Sequence, residues 1–189
     1  WPAPRCRGGR GWRGRPVHGG VVSHIPSPRV KALERAFTDI AHTRMLGVPV
    51  QNPALHVQAI GFSPEPDDAN MLLGVLVTPW FMNLVRLPTQ AVAPGNTLLA
   101  VGQKGTRAAG NESFEFVGAC EADLGAFEVC SLFSPMFQFA NHAAATDTAN
   151  EVLNQLRTLV KPTTPPTQTR PSRRGFLFGL GSAPTQAHT

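Results

Sequence analysis

None of the three cysteines, Cys6, Cys120 and Cys130, stands in a C-x-x-C pair, which excludes a zinc ribbon or rubredoxin-like iron site and gives no footing for a disulfide framework. Free thiols and a reducing compartment are the expectation. The longest apolar run, Met71–Val77, is far short of the ~20 residues that span a bilayer, so no membrane insertion is expected. The N-terminus carries charge without the apolar centre of a secretory signal; it also begins without Met, and reads as an extension or the end of a longer fusion. Catalytic templates are missing as well. There is no G-x-S-x-G, and neither the glycines of the 102–110 stretch nor Gly179-Leu180-Gly181 follow a strand and open a helix, as a phosphate loop must. His42, His56 and His142 are far apart and near no carboxylate at ligand spacing, while His18, His24 and His188 lie towards the ends, so neither a metal nor another cofactor is expected. Cys130 has no His or helix N-terminus placed to activate it and reads as an inert thiol. A protein that is not an enzyme is the reading.

Acidic residues are absent from both ends. Residues 1–20 hold five Arg (Arg5, Arg7, Arg10, Arg13, Arg15), and residues 161–189 hold Lys161, Arg170, Arg173 and Arg174, with no acid in either. Residues 30–160 hold seven basic residues and all twelve acids, so a chain of net charge +5 contains a central part of net charge -5. The Arg/Gly-rich start with Trp12 suits RNA contact, but the acidic centre opposes it, and nucleic acid is not an expected partner. At 189 residues the chain suits one domain with appendages. The division is a basic Arg/Gly/Pro tail over 1–27, expected to be disordered, a folded domain over 28–160, and a Pro-rich linker and tail over 161–189.

Ser27 then Pro28 reads as a helix cap followed by Pro at the first helical position. Val30, Leu33, Phe37, Ile40, Ala41 and Met45 recur at helical spacing up to Gly47. A strand is expected over 55–62, followed by two β-prone runs, 71–78 and 80–87, that look buried on both faces. The 88–110 stretch reads as mostly loop with a short strand at 98–101. Residues 113–118 and 127–133 read as a hairpin centred between Asp123 and Leu124, which pairs Glu115 with Leu132 and Glu128 with Ala119. An apolar stripe from Ala145 to Leu159 marks a closing helix. These elements predict an α+β two-layer sandwich: a mostly antiparallel sheet with the N- and C-terminal helices packed on one face and the other face open to a partner.

At Asn52-Pro53-Ala54-Leu55, the run from Leu73 through Thr78-Pro79-Trp80-Phe81-Met82-Asn83-Leu84, Phe114-Glu115-Phe116, and Cys130-Ser131-Leu132-Phe133-Ser134-Pro135-Met136-Phe137, the sequence resembles the HybE/HupJ family of [NiFe]-hydrogenase assembly chaperones. The resemblance covers about 30–160. It implies a non-catalytic cytoplasmic helper that engages the hydrogenase small subunit and its twin-arginine signal peptide and delays export until the metal clusters are installed. The large subunit and other maturation proteins are further partners it allows. Protection of the small subunit's iron-sulfur sites without signal binding is the alternative role.

On that reading an acidic sheet face receives the two Arg of a client signal, with Glu112, Glu115 and Glu128 as acceptors and Trp80 and Phe133 as apolar walls. Asn83, an amide inside an apolar run, either pins a neighbouring loop or bonds the backbone of a bound peptide. Ser172-Arg173-Arg174-Gly175-Phe176-Leu177 is similar to the core of a twin-arginine signal, yet it lies near the wrong end to export this chain and reads either as a mimic of the client's signal or as a chance match in an Arg-rich tail.

Overall fold

The computed structural model describes residues 27–92, 98–110 and 112–158. The expectations for residues 1–26 and 161–189, including the segment Ser172 to Leu177, lie outside the described residues. Eight elements follow one another among the described residues: α1 (Pro28–His42), β1 (Gln58–Pro64), β2 (Met71–Val77), β3 (Met82–Pro88), β4 (Lys104–Ala109), β5 (Glu112–Glu121), β6 (Gly125–Phe133) and α2 (His142–Thr158). The strands form one antiparallel six-stranded sheet in the order β1-β2-β3-β6-β5-β4. The expected α+β class and terminal helices are present.

α1 starts where the sequence says, with the Ser27 hydroxyl accepting from the Arg29 amide and Pro28 in the first turn. It buries Val30, Leu33, Phe37 and Ile40 against Leu72 and Leu76 of β2, Val85 and Leu87 of β3, and Phe127 of β6. Ala145, Ala149, Leu153 and Leu156 of α2 pack instead with Val75, Val77, Met82, Leu84 and Phe116. Odd-numbered β2 residues meet α2 and even-numbered ones meet α1. The two helices therefore lie on opposite faces of the sheet, which corrects the expected placement on one face. The reason was present in β2 and β3. A strand apolar on both sides needs cover on both, and each buried Leu or Val contributes about 1.5–3 kcal/mol only if both layers exist.

Two further expectations change. The 88–110 stretch contributes the edge strand β4, whereas residues 98–101 add only a parallel bridge from Val101 to Gly118. The β5–β6 hairpin is centred on Asp123, pairing Glu128 with Gly118 and Val129 with Val117, one residue from the expected register. Gly125, at φ 81°, closes the loop in the left-handed conformation that a three-residue hairpin turn requires. Because the side-chain period is two, this slip exchanges the faces of the β6 residues relative to β5. Leu124, in the loop itself, turns inward and is fully buried under α1.

Candidate peptide-binding groove

α1 crosses only part of its sheet face, and beside it a groove of about 350 Å³ opens over β3, β6 and β5. Phe37 of α1, Phe81 of the β2–β3 turn, and Phe127 and Val129 of β6 supply its apolar walls, with Val101 at its lip. The rings stack edge to face, Phe37 standing 5.7 Å from Phe81 and 6.1 Å from Phe127, which holds the walls apart. Asn83 lines this groove. It is 9% exposed, and its side-chain oxygen is buried with no hydrogen-bond partner among the described residues. The register explains why the amide is here: Asn83 pairs with Leu76 and Ser131, on the same face as α1 and just beyond its cover. Such an orphan costs about 1–3 kcal/mol, and an incoming N–H removes that penalty. At the rim, Glu121 is 15% exposed and holds Arg44 at 2.7 Å. The groove thus offers apolar walls, an unsatisfied acceptor and a carboxylate. Those features suit an extended basic-apolar segment.

The six residues expected to bind a client do not converge. Trp80 and Asn83 share the α1 side, but Trp80 is 8% exposed and packs in the α1 core against Phe81. Phe133 is on the opposite side, edge-on to Phe139 in the α2 core. Glu112 is exposed beside the β4–β5 turn. Glu115 is exposed and paired with Lys104 at 2.7 Å. Glu128 is fully buried on the α2 side, which corrects its expected role as an acceptor for a client Arg. Its carboxylate already accepts from Arg86, from Arg107 and, at 2.9 Å, from the Leu99 amide. Gly118 makes this possible. It stands opposite Glu128, and a Cβ there would lie 2.2 Å from the Ala100 carbonyl, so only glycine lets the chain near Leu99 cross β5 and cap the carboxylate. Burial opposes the charged form of Glu128. Hydrogen bonds from Arg107, the Leu99 amide and Arg86 outweigh it and hold the carboxyl below its ordinary value. Glu65 closes the network on Arg86 at 2.6 Å. Glu121, missed by sequence reasoning, is the groove's carboxylate. Its position followed from the hairpin register.

Three of the runs that carry the resemblance meet at one end of the fold. The Asn52 amide nitrogen donates to the carbonyls of Met136 (3.0 Å) and Phe139 (2.8 Å), and its side-chain oxygen accepts from the Ala54 amide. The Asn52 backbone amide donates to the Pro79 carbonyl, and the Thr78 hydroxyl accepts from the Trp80 and Phe81 amides. Three loops are thereby locked together under the aromatic residues. The family model described as "[NiFe]-hydrogenase assembly, chaperone, HybE" matches residues 28–179.

The chain belongs to this HybE family. Protein HoxT of Cupriavidus necator is 47% identical over 158 residues, covering 80% of this chain and 88% of HoxT. Hydrogenase expression/formation protein HupJ of Bradyrhizobium diazoefficiens is 36% identical over 142 residues, covering 72% and 79%. The solution structure of HybE from Escherichia coli aligns with a TM-score of 0.53 at 21% identity, over 86% of this chain and 96% of that one, and shows the same fold.

In this HybE-family chain Cys130 carries a free, half-buried thiol whose pKa burial pushes up, as an inert thiol requires. The expectation of free thiols does not hold for Cys120, which is disulfide-bonded. His142, the first residue of α2, stacks on His56 with ring centroids 3.4 Å apart and faces the Gln58 side-chain oxygen at 2.7 Å. Burial first, and the charge of His56 second, lower its pKa from 6.5. A base with a depressed folded pKa binds fewer protons in the native state. Its contribution is therefore intact above about 6.5 and is lost as pH falls below that value. The urea midpoint of the native chain is expected to fall on acidification from pH 7.5 to 5, and His142→Gln to flatten that part of the profile. Parallel profiles for the two would refute the assignment.

Proposed function

We propose that this chain is a non-catalytic cytoplasmic chaperone of [NiFe]-hydrogenase assembly that binds the hydrogenase small subunit through its twin-arginine signal peptide and holds export until the cofactors are in place. The observation that carries this reading is the orphan Asn83 oxygen in an apolar groove. A folded protein keeps such a group when a partner satisfies it. An extended signal segment supplies a backbone N–H to Asn83, its Phe and Leu to the walls of Phe37, Phe81 and Phe127, and an Arg to Glu121 in exchange for Arg44. Glu112 and Glu115 remain as outer charges that orient approach. Trp80 backs the groove wall through Phe81, while Phe133, on the opposite face of the sheet, takes no part.

Exposed ion pairs contribute only about 0–1 kcal/mol each. Micromolar binding needs about 8 kcal/mol, so the apolar side chains, at about 1.5–3 kcal/mol apiece, must carry most of it. Calorimetric titration of the full chain with the small subunit's signal peptide, and with a version whose two Arg are Lys, tests this. Saturable binding that weakens several-fold with Lys is expected, because Lys loses the paired guanidinium hydrogen bonds. Binding of the mature small subunit but of neither peptide would overturn the signal-binding reading in favour of protection of its iron-sulfur sites.

A further inference from the structure

We infer that, when no client is present, the groove beside Asn83 is occupied by this chain's own segment Arg173-Arg174-Gly175-Phe176-Leu177. The inference rests on the groove chemistry assigned above and goes one step past it, to regulation. The groove wants a basic, apolar, extended ligand: Glu121 lies at its rim, aromatic walls flank it, and the Asn83 oxygen awaits a donor. The chain contains such a segment. Residues 161–189 hold four basic residues and no acid, and Phe176, Leu177 and Phe178 follow the two arginines after a single glycine, Gly175. Charge complementarity is global as well, since residues 30–160 carry a net charge of -5.

The family match supports a role for this tail within the family's shared architecture. It runs to residue 179, beyond the end of α2 at Thr158 and through both arginines. Length permits the contact. Fourteen positions separate Thr158 from Ser172 and span at most about 45 Å, against a radius of gyration of about 14 Å for a domain of this size. The tail can therefore pass round a sheet edge from the α2 side to the α1 side. Tethering holds it near the groove at an effective concentration of about 1 mM. A segment whose own Kd is on the order of 0.1 mM then fills the groove about nine-tenths of the time and weakens client binding about tenfold. The client signal, free of the linker, displaces its internal imitation.

The test uses the full chain under reducing conditions, with amide chemical shifts of Ala119, Phe127 and Val129 as the readout and no client present. A variant carrying Arg173→Glu, Arg174→Glu, Phe176→Ser and Leu177→Ser is expected to shift all three, independently of protein concentration. A free peptide of residues 171–189 is expected to restore the native shifts at millimolar concentration. The same variant should bind the client signal peptide about tenfold more tightly. Unchanged shifts would overturn the proposal. So would shifts that vary with dilution, which would place a second copy's tail in the groove, or shifts that respond only to substitution of Arg5, Arg7 and Arg10. If the tail-dependent shifts appear but neither form binds the client peptide, the self-contact stands and the signal-binding reading alone fails.

Discussion

Replacing Glu128 by Gln is expected to lower the unfolding free energy by about 3–5 kcal/mol, read as a fall in the urea midpoint at pH 7. Glu128 is fully buried and receives Arg86, Arg107 and the Leu99 amide. A neutral amide cannot balance two guanidinium groups, so Arg107 is left without its carboxylate and Arg86 keeps only Glu65. The pH dependence follows from the depressed carboxyl. Stability from Glu128 is present above its ordinary value of 4.5 and lost as pH falls through the lower folded value. The variant should therefore lose most at neutral pH and approach the native chain in acid. Glu115→Gln provides the contrast. Its pair with Lys104 is solvent-exposed and screened, and the midpoint should not move. Equal effects at the two positions would mean that the buried network contributes no more than a surface pair.

Asn83→Leu is expected to change stability and binding in opposite directions. Leu keeps the branched shape of Asn, removes a buried oxygen with no partner among the described residues, and extends the apolar wall, so unfolding free energy should rise by about 1–3 kcal/mol. The same change deletes the acceptor for the client backbone, and affinity for the signal peptide should fall about tenfold, as loss of one hydrogen bond from a buried site implies. Denaturation and calorimetry on one preparation read both. A loss of stability with unchanged binding would show that Asn83 serves the fold, as the loop-pinning alternative holds. Such a trade is what a residue retained for binding produces.

The elements that could be read directly are those with local signals. α1 carries its own cap at Ser27 and Pro28 and a helical stripe, although the helix ends at His42 and the chain turns from there to Gly47, where the helix was expected to close. β2, β3 and the β5–β6 hairpin are rich in β-branched, Leu and Phe residues, and α2 shows a clean apolar period. β4, with the sequence Lys-Gly-Thr-Arg-Ala-Ala, has little strand propensity of its own and exists because β5 pairs with it. The hairpin register was legible in principle at Gly125, whose left-handed backbone marks a three-residue loop. Placing the turn half a residue further on moved Glu128 to the wrong face in the expectation, and its expected role as an acceptor followed that error.

Motif, composition and periodicity were sufficient by themselves for the family, the α+β class, the terminal helices and the strands that bear the Thr78-to-Asn83 run, because each rests on residues close together in the chain. Tertiary structure alone decided that α1 and α2 take opposite faces, that Glu128 is enclosed by arginines from two other strands, and that Asn83 lies unsatisfied beside the edge of a helix more than forty positions earlier. Those outcomes depend on pairings between distant segments, where a one-residue slip reverses a side chain's face. No local pattern carries that information.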